Sequence, residues 1–463
     1  MVFLASWELR AEFARRMAET YGREVPAYST LVEVASEVNA DVVARDGAVA
    51  QRLGSIERVT AERHGAIRVG TPRELREVAQ LMAAFGRYPV GCYDLRDAAI
   101  SAVPVVSTAF RPVEAAELTR NPFRMFTSLL VTDDRRFLCA DLQSRLDAFL
   151  ARRVLFAPEL LAVATKAAAA GGLDGPDAQL LLGLATSAFA LSPEPVDRAW
   201  YQELDRVSAV AADIGGVTST HLNHLTPRVL DIDELHRRMT ARGIAMIDTI
   251  QGPPRWPGPD VLLRQTSFRA LAEQRLFRGS DGTLAPGSLR VRFGEVEARG
   301  VALTPTGRDR YEAMLGEVDR CLRATRGADR QEVAAGVWAE RLPPTEAGLA
   351  REGLAYFRYE VADRAALVRV ASDASVTDLL DAGVLTATPI VYEDFLPRSA
   401  AGIFASNLSA EASMDGSRAG SRRDAGWLSD VIGAPVADPY ALYAAEQQAS
   451  IARASAALGA VRL

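Results

Sequence analysis

The chain has 463 residues, of which 49% are hydrophobic and 24% are charged, and its formal net charge is −6. This composition is typical of a soluble globular protein that is long enough for two or three domains. Because no basic block stands out in the sequence, neither nucleic acid nor an anionic membrane is expected as a partner.

The N-terminal segment, residues 1–60, is predicted to be helical. Its first stretch, 'MVFLASWELRAEFARRMAETYG', carries Glu8 and Arg10 early, which indicates an amphipathic helix and not a signal peptide. No apolar run in the chain reaches the roughly 18 residues that a membrane span needs. The three cysteines are far apart, so they cannot form a CxxC metal site, and they fit a reducing cytoplasm.

Residues 61–134 predict a β-α-β-β-β unit. Its first strand is 'HGAIRVG' (64–70), and its helix spans 71–86, with Thr71 as N-cap and Gly86 as the stop. Three strand-like runs complete the unit: 'YPVGCYDL' (88–95), 'VPVVSTAF' (103–110) and 'FRMFTSLLV' (123–131).

Residues 206–305 predict a second unit with the same order of elements. Its first strand lies in 'THLNHLTPRV' (220–229), and its helix (231–243) is capped by Asp231, with Glu234 at the capping-box position. The strand-like runs that follow are 'IAMIDTI' (244–250), 'VLLRQTSFRAL' (261–271) and 'LRVRFGEVEARG' (289–300).

Helical sequence separates and follows the two units. Residues 135–205 predict a helical insertion, and 306–463 a mostly helical tail in which 309–327 is the clearest helix. A loop-like piece, 391–408, interrupts the tail and is expected to reach the pocket. The polar stretch 413–426 is rich in Gly and Ser, which predicts a mobile surface loop.

The order β-α-β-β-β therefore occurs twice in the chain. Two such units predict an α+β fold in which a curved sheet surrounds a shared cleft, with helical segments added. The first strand of each unit carries histidine. We therefore expect these two strands to face each other across the cleft.

The four histidines are the first candidates for chemistry. His64 opens the first unit, whereas His221 and His224 lie three residues apart in the second, where alternation along a strand puts them on opposite faces. At most one of these two can then bind a metal in the cleft, and the other is expected to bond to the backbone or to mark the strand's edge. His236 is expected to be a solvated helix residue.

An acidic ligand can come from 'FGEVEARG', where Glu295 and Glu297 lie two apart and so share a face. Strands disfavour such a pair, so either both face water or at least one has a function. Two imidazoles and one carboxylate form the facial triad that suits non-haem Fe(II) and leaves adjacent positions open. Arg68 shares a face with His64, where it either grips a substrate carboxylate through two parallel hydrogen bonds or is a surface arginine.

Seven motifs, in this order, resemble the 2-oxoadipate dioxygenase/decarboxylase family, whose members are also called 2-hydroxyglutarate synthases. The likeness runs from about residue 30 to residue 410. It implies the vicinal-oxygen-chelate fold and a relationship to 4-hydroxyphenylpyruvate dioxygenase, which agrees with the doubled unit. The motifs are 'HGAIRVGT', 'YPVGCYDL', 'VPVVSTAFRP', 'PFRMFTSLL', 'HLNHLTPRV', 'FGEVEARGVALTPTGR' and 'YEDFLPRSAAGIFASNL'.

The resemblance implies Fe(II) bound by His64, His224 and Glu295. Related enzymes carry an Asp-Ile pair seven residues beyond their ligand histidine, and Asp231 stands at that offset from His224. Their ligand glutamate lies four residues before an arginine, here Arg299. The other histidine of 'HLNH' and the second glutamate of 'FGEVE' remain the alternatives. Shared coordination requires the two imidazoles to lie within about 8 Å of each other.

The reaction that the resemblance implies converts 2-oxoadipate and O₂ to 2-hydroxyglutarate and CO₂, a late step of lysine breakdown. Arg68 matches the family's substrate-carboxylate arginine, and Arg398 and Ser399 lie where the family's pocket touches substrate. Arg398 replaces a small aliphatic residue of the family pattern. A dioxygenase for a different 2-oxo acid, or an isomerase or lyase that uses Zn²⁺ or Mn²⁺, therefore remains an alternative.

Overall fold

The N-terminal segment is helical in the computed structural model, which describes residues 3–97, 102–290, 292–325, 327–369, 374–407 and 420–459. Its elements are β1 (Phe3–Ala5), α1 (Ser6–Glu24), α2 (Pro26–Asp46), a 3₁₀ helix (Gly47–Gln51) and α3 (Ile56–Ala61). The Tyr21 hydroxyl on α1 lies 2.9 Å from the carbonyl oxygens of both Asn223 and Phe293. The N-terminal helices thus brace the second unit.

The first unit has the predicted strand, helix and three strands. The Thr71 hydroxyl accepts a hydrogen bond from the Glu74 backbone N–H, and the Glu74 carboxylate accepts one from the Thr71 N–H, which completes a capping box. Gly86 adopts a φ of 62°, which turns the chain into the next strand. The elements are β2 (Arg63–Val69), α4 (Pro72–Ala83), β3 (Tyr88–Asp94), β4 (Val105–Arg111), α5 (Ala115–Arg120) and β5 (Arg124–Leu130).

Helices fill most of the stretch between the two units. Short strands interrupt them, and one of these, within residues 172–174, pairs antiparallel with β1. The elements are α6 (Ala140–Ala151), α7 (Pro158–Ala170), β6 (Gly172–Asp174), α8 (Gly175–Ala188), β7 (Val196–Asp197), α9 (Arg198–Asp205) and α10 (Ala209–Gly215).

The second unit is less regular than predicted. The strand expected at 220–229 begins only at His224, and the one expected at 244–250 makes isolated bridges instead of a regular ladder. Gly252 and two prolines follow directly and interrupt pairing there. A hairpin that the sequence reading missed pairs with β7. The elements are β8 (His224–Pro227), α11 (Ile232–Ala241), β9 (Leu263–Phe268), β10 (Glu273–Arg278), β11 (Leu284–Leu289) and β12 (Gly294–Arg299).

A curved sheet joins the two units. Its regular part has the order β3-β4-β5-β2-β8, with β2 parallel to β5 and antiparallel to β8. Beyond β8, the Val229 N–H donates to the Glu297 carbonyl at 2.8 Å, and β12 pairs antiparallel with β9. The predicted α+β fold of two β-α-β-β-β units around a shared cleft is confirmed. The expectation that the first strands of the two units face each other is wrong, because they lie side by side and pair antiparallel in one sheet.

The C-terminal tail is mostly helical, as predicted. The piece expected to be a loop, 391–408, contains a helix, and a strand pair occurs where none was predicted. Of the mobile loop expected at 413–426, residues 413–419 lie outside the described residues. In the described part of the chain, no helix combines the length and apolar character that crossing a membrane requires. The elements are α12 (Pro305–Ala324), α13 (Arg330–Arg341), α14 (Glu346–Arg351), β13 (Phe357–Val361), a 3₁₀ helix (Arg364–Arg369), α15 (Val376–Asp381), β14 (Leu385–Pro389), α16 (Pro397–Asn407), α17 (Ala425–Ile432) and α18 (Pro439–Leu458).

Candidate metal centre

Three donor side chains from distant strands meet where the two units join. His64 on β2, His224 on β8 and Glu295 on β12 each offer a ligand atom, and these atoms all lie within 4.8 Å of one another. The three residues are 0%, 4% and 4% exposed. The centroids of the two imidazole rings are 5.2 Å apart, with the ring planes at 89°. The rings therefore satisfy the separation that shared coordination requires.

Strand pairing explains why the two histidines meet. In the β2–β8 ladder, His64 lies opposite Thr226, and Ala66 lies opposite His224. Directly opposed residues share a face of the sheet, and every second residue along a strand shares it too. His64 and His224 therefore stand on the same face, and the small side chain of Ala66 leaves room between their rings.

The Glu295 carboxylate is surrounded by nitrogen and hydroxyl groups. Its Oε2 lies 3.0 Å from His64 Nε2, 3.2 Å from Gln265 Nε2, 3.3 Å from the Thr226 hydroxyl and 3.6 Å from His224 Nδ1. Burial opposes ionisation, but the two imidazoles outweigh it and lower the pKa of Glu295. The carboxylate is therefore ionised and turned toward both histidines.

The donor set fits a divalent transition metal. Burial lowers the pKa of His224 to about 4, so this imidazole is neutral near pH 7 and has a lone pair to offer. Burial also disfavours a charged His64, but Glu297 and Glu295 outweigh that effect and raise its pKa. Two imidazole nitrogens and one carboxylate oxygen are the ligands of the facial triad used by non-haem Fe(II).

Aromatic side chains shield the histidines. The Phe395 ring meets His64 edge-on, with centroids 5.0 Å apart, and the Phe293 ring stacks on His224 at 5.3 Å. Phe126 packs on Phe395, with centroids 4.7 Å apart. Because these rings are apolar, they keep bulk water from the donor atoms and strengthen electrostatic interactions there.

The second glutamate of β12 has a different environment from the first. Its Oε2 lies 2.8 Å from His64 Nδ1, and Arg299 donates to both oxygens of Glu297, at 2.7 and 3.0 Å. Burial opposes ionisation of Glu297, but Arg299 and His64 overcome it and lower its pKa to about 2. Since an arginine occupies both oxygens of Glu297, Glu295 is the carboxylate that faces the two histidines.

Arg68 belongs to a second buried cluster beside the triad. It is 5% exposed, and its Nη1 pairs with the Asp213 carboxylate on α10. His221 Nε2 lies 3.3 Å from the same carboxylate. The two histidines of 'HLNH' therefore diverge, as predicted. The expectation that His221 bonds to the backbone or marks the strand's edge is wrong, because α10 brings an acid to it.

The remaining candidates lie at the periphery. His236 lies in α11, as expected, but it is half-buried and its Nδ1 lies 2.8 Å from the Thr266 hydroxyl, so it is only partly solvated. The reason is that α11 packs against β9. Arg398 is exposed and Ser399 is buried at the start of α16, shortly after Phe395. The substrate contacts of Arg398 and Ser399 stay a prediction.

Three residues of the site were missed by sequence reasoning. Asp213 carried a signal, because it is a lone acid in the apolar run 'AVAADIG'. Gln265 carried a weaker one as an amide within the buried strand 'LRQTSF'. Phe395 lies in 391–408, the piece expected to reach the pocket, but its contact with His64 depends on how the tail folds back over the cleft.

Known proteins resemble the chain over nearly its whole length. Residues 13–407 match the family model described as 2-oxoadipate dioxygenase/decarboxylase. A protein of that name from Mycobacterium tuberculosis is 57% identical over 445 residues, which cover 96% of this chain and 98% of the relative. Another from Pseudomonas putida is 40% identical over 468 residues, 98% of each chain. The crystal structure of the Pseudomonas putida hydroxyglutarate synthase in complex with 2-oxoadipate has a TM-score of 0.83 and 38% identity, and the match covers 98% of this chain and 99% of that one. The chain belongs to the 2-oxoadipate dioxygenase/decarboxylase family.

Proposed function

We propose that this protein is an Fe(II)-dependent dioxygenase/decarboxylase that converts 2-oxoadipate and O₂ to 2-hydroxyglutarate and CO₂. The observation that carries the proposal is the buried convergence of His64, His224 and Glu295, whose ligand atoms lie within 4.8 Å of one another. Further support comes from the Pseudomonas putida relative, a hydroxyglutarate synthase whose structure is a complex with 2-oxoadipate.

The triad is proposed to hold the metal. When bound, Fe(II) supplies the redox chemistry that activates O₂ and the vacant coordination positions that a 2-oxo acid needs. The burial of all three donors supports a closed site in which the reacting groups are held away from bulk water.

Arg68 is proposed to orient the far carboxylate of the substrate. A guanidinium can form two parallel hydrogen bonds with a carboxylate, and burial strengthens them. Asp213 pairs with one edge of Arg68 and fixes its direction. A buried arginine beside the triad would favour a dicarboxylic acid of matching length.

The proposed reaction balances in atoms and electrons. The original carboxylate of the 2-oxo acid leaves as CO₂, and one oxygen atom of O₂ enters the new carboxylate at the former keto carbon. The other oxygen atom forms the hydroxyl group on the adjacent carbon. The rings of Phe293 and Phe395, which cover the two histidines, would keep bulk water from the reacting groups.

The proposal includes a cellular role. We propose that the reaction is a late step of lysine breakdown and takes place in the cytoplasm. The three cysteines, Cys92, Cys139 and Cys321, are all free thiols, which supports a reducing compartment.

The test is oxygen uptake by the Fe(II)-loaded protein with a panel of 2-oxo acids of different length. We expect 2-oxoadipate to be consumed with equal amounts of O₂, CO₂ and 2-hydroxyglutarate, and metal-free protein to be inactive. If oxygen were taken up with another 2-oxo acid and not with 2-oxoadipate, the proposed substrate would be wrong. Rearrangement of an acid by Zn²⁺- or Mn²⁺-loaded protein, without oxygen uptake by the iron form, would replace the proposal by an isomerase or lyase.

A further inference from the structure

We infer that Glu297 is a positioning residue for His64: its carboxylate accepts the Nδ1 proton of the ring and so presents Nε2 to the metal. The inference rests on the proposed function only in requiring a metal at His64. It assigns a role to the second glutamate of 'FGEVE' that differs from metal ligation.

The two nitrogens of the His64 ring face two different carboxylates. Nε2 lies 3.0 Å from Glu295, and Nδ1 lies 2.8 Å from Glu297 Oε2. Both His64 and Glu297 are 0% exposed. Nδ1 has no well-aligned hydrogen bond with any described residue, so the oblique Glu297 contact is the interaction available to it.

A metal at Nε2 makes an acceptor at Nδ1 necessary. A neutral imidazole carries a single proton, so coordination through Nε2 leaves the proton on Nδ1. A buried N–H without an acceptor is unfavourable. A carboxylate beside it fixes the tautomer and the ring orientation and makes the ligating nitrogen more basic.

Glu297 is itself held in place. Arg299 donates to both of its oxygens, at 2.7 and 3.0 Å. The Nη1 of Arg299 donates in turn to the carbonyls of Tyr392 and Asp394, at 2.8 and 3.1 Å. The carboxylate is therefore oriented by the tail, and this pairing explains why a buried strand carries two glutamates.

Glu62 offers a matched control within the same cluster of charges. It is 0% exposed and pairs with Arg124 at 2.7 Å, Arg228 at 2.9 Å and Arg299 at 3.2 Å. Its ion-pair partners among the described residues are arginines and not His64. Glu62→Gln thus removes the same charge from the same cluster without touching the ring.

The experiment titrates metal-free protein with Mn²⁺ and records the visible spectrum of the Co²⁺-loaded form, for wild type, Glu297→Gln and Glu62→Gln. We expect Glu297→Gln to bind Mn²⁺ about 10- to 100-fold more weakly and to shift the Co²⁺ bands. We expect Glu62→Gln to bind within about threefold of wild type, the scatter between such titrations. Wild-type affinity in Glu297→Gln, or an equal loss in Glu62→Gln, overturns the inference.

A second variant covers the case in which Glu297→Gln does not fold. Glu297→Asp keeps the charge but withdraws it from Nδ1, so we expect intermediate Mn²⁺ affinity and shifted Co²⁺ bands; a wild-type affinity and spectrum overturn the inference. The titrations need no substrate. A wild-type protein that binds Mn²⁺ but consumes no O₂ with any 2-oxo acid therefore refutes the proposed function and leaves this test valid.

Discussion

The two β-α-β-β-β units contribute to one site, but they hold their side chains in different ways. In the first unit, β2 lies inside the five-stranded sheet and pairs with β5 from His64 to Val69 and with β8 on its other side. In the second unit, β8 has only four residues, and a predicted strand is replaced by isolated bridges. The first unit thus positions side chains by a regular backbone ladder.

In the second unit, buried arginines at the ends of β8 and β12 add to the strand pairing. Arg228 directly follows β8, and its Nη1 donates to Glu62 at 2.9 Å, while its Nη2 donates to the Leu53 carbonyl at 3.0 Å. Arg299, at the end of β12, pairs with Glu297. Buried charges are costly unless they are paired. Each arginine, and the backbone that carries it, is therefore held in place by the groups to which the arginine donates. The comparison shows that ligand side chains can be positioned precisely even where the strands that carry them are short or irregular.

The largest effect is expected from removing one donor of each unit. His64→Ala and His224→Ala should each weaken Mn²⁺ binding by at least about 100-fold and abolish turnover, because two remaining ligands hold a metal poorly. Metal content and oxygen uptake with 2-oxoadipate measure both effects. A His64→Ala protein that keeps its metal would show that the second unit binds it alone.

Two stability variants compare the strand ladder of the first unit with the buried ion pairs of the second unit. Arg228→Met leaves Glu62 with fewer partners, and Ile67→Ala opens a cavity behind β2, where Ile67 is fully buried. Each should lower the free energy of unfolding by about 3 kcal/mol. Only Arg228→Met should also weaken Mn²⁺ binding, by about tenfold, because it removes both bonds that hold the residue after β8, whereas glutamine in place of Glu62 would keep an oxygen that accepts from Arg228. Denaturant titration and metal titration measure these effects. Equal metal affinities in the two variants would contradict the contrast.

Arg68→Lys separates the two functions proposed for side chains of β2, which are metal binding and substrate binding. Lysine keeps the charge but lacks the planar fork, so the KM for 2-oxoadipate should rise about 30-fold, or about 2 kcal/mol. Mn²⁺ affinity should be unchanged, because lysine keeps the positive charge that acts on His224 and that pairs with Asp213. Steady-state kinetics with a monocarboxylic 2-oxo acid is the control; a similar KM increase for that acid would exclude a role for Arg68 in binding the far carboxylate.

The smallest effect is expected at the partner of Arg68. Asp213→Asn keeps the shape but removes the charge that orients the guanidinium, so we expect a KM for 2-oxoadipate about tenfold higher, or about 1.4 kcal/mol. Kinetics and a melting curve measure the change. Asp205→Asn, on the exposed end of α9, is the matched control, with stability expected within about 0.5 kcal/mol of wild type. If Asp213→Asn had wild-type kinetics, contacts other than the one with Asp213 would have to orient Arg68.

Local sequence signals predicted the first unit and the two side chains, His64 and Arg68, that its first strand contributes to the site. The capping box of Thr71 and Glu74 lies within four residues, and alternation along 'HGAIR' put His64 and Arg68 on one face. The β10–β11 hairpin was missed, although its turn 'GSDG' was a usable signal. The strand predicted at 244–250 was wrong because an apolar run alone does not specify pairing partners.

The choice between the two glutamates lay beyond local pattern. Both share a face of β12, and the sequence pattern alone treats them alike. They differ because Arg299 takes both oxygens of Glu297, and that arginine is oriented by carbonyls of the tail, more than 90 residues away. Asp213 was missed for the same kind of reason, since only tertiary packing brings α10 to Arg68.

The C-terminal tail limits how far the chain can be shortened without damage to the site. Phe395 covers His64, and the carbonyls of Tyr392 and Asp394 fix Arg299. A shortened protein that ends before residue 391 would retain every strand of both units and all three donors. It would nonetheless lose the lid over one imidazole and the anchor of its orienting acid, so the catalytic core cannot be reduced to the duplicated halves.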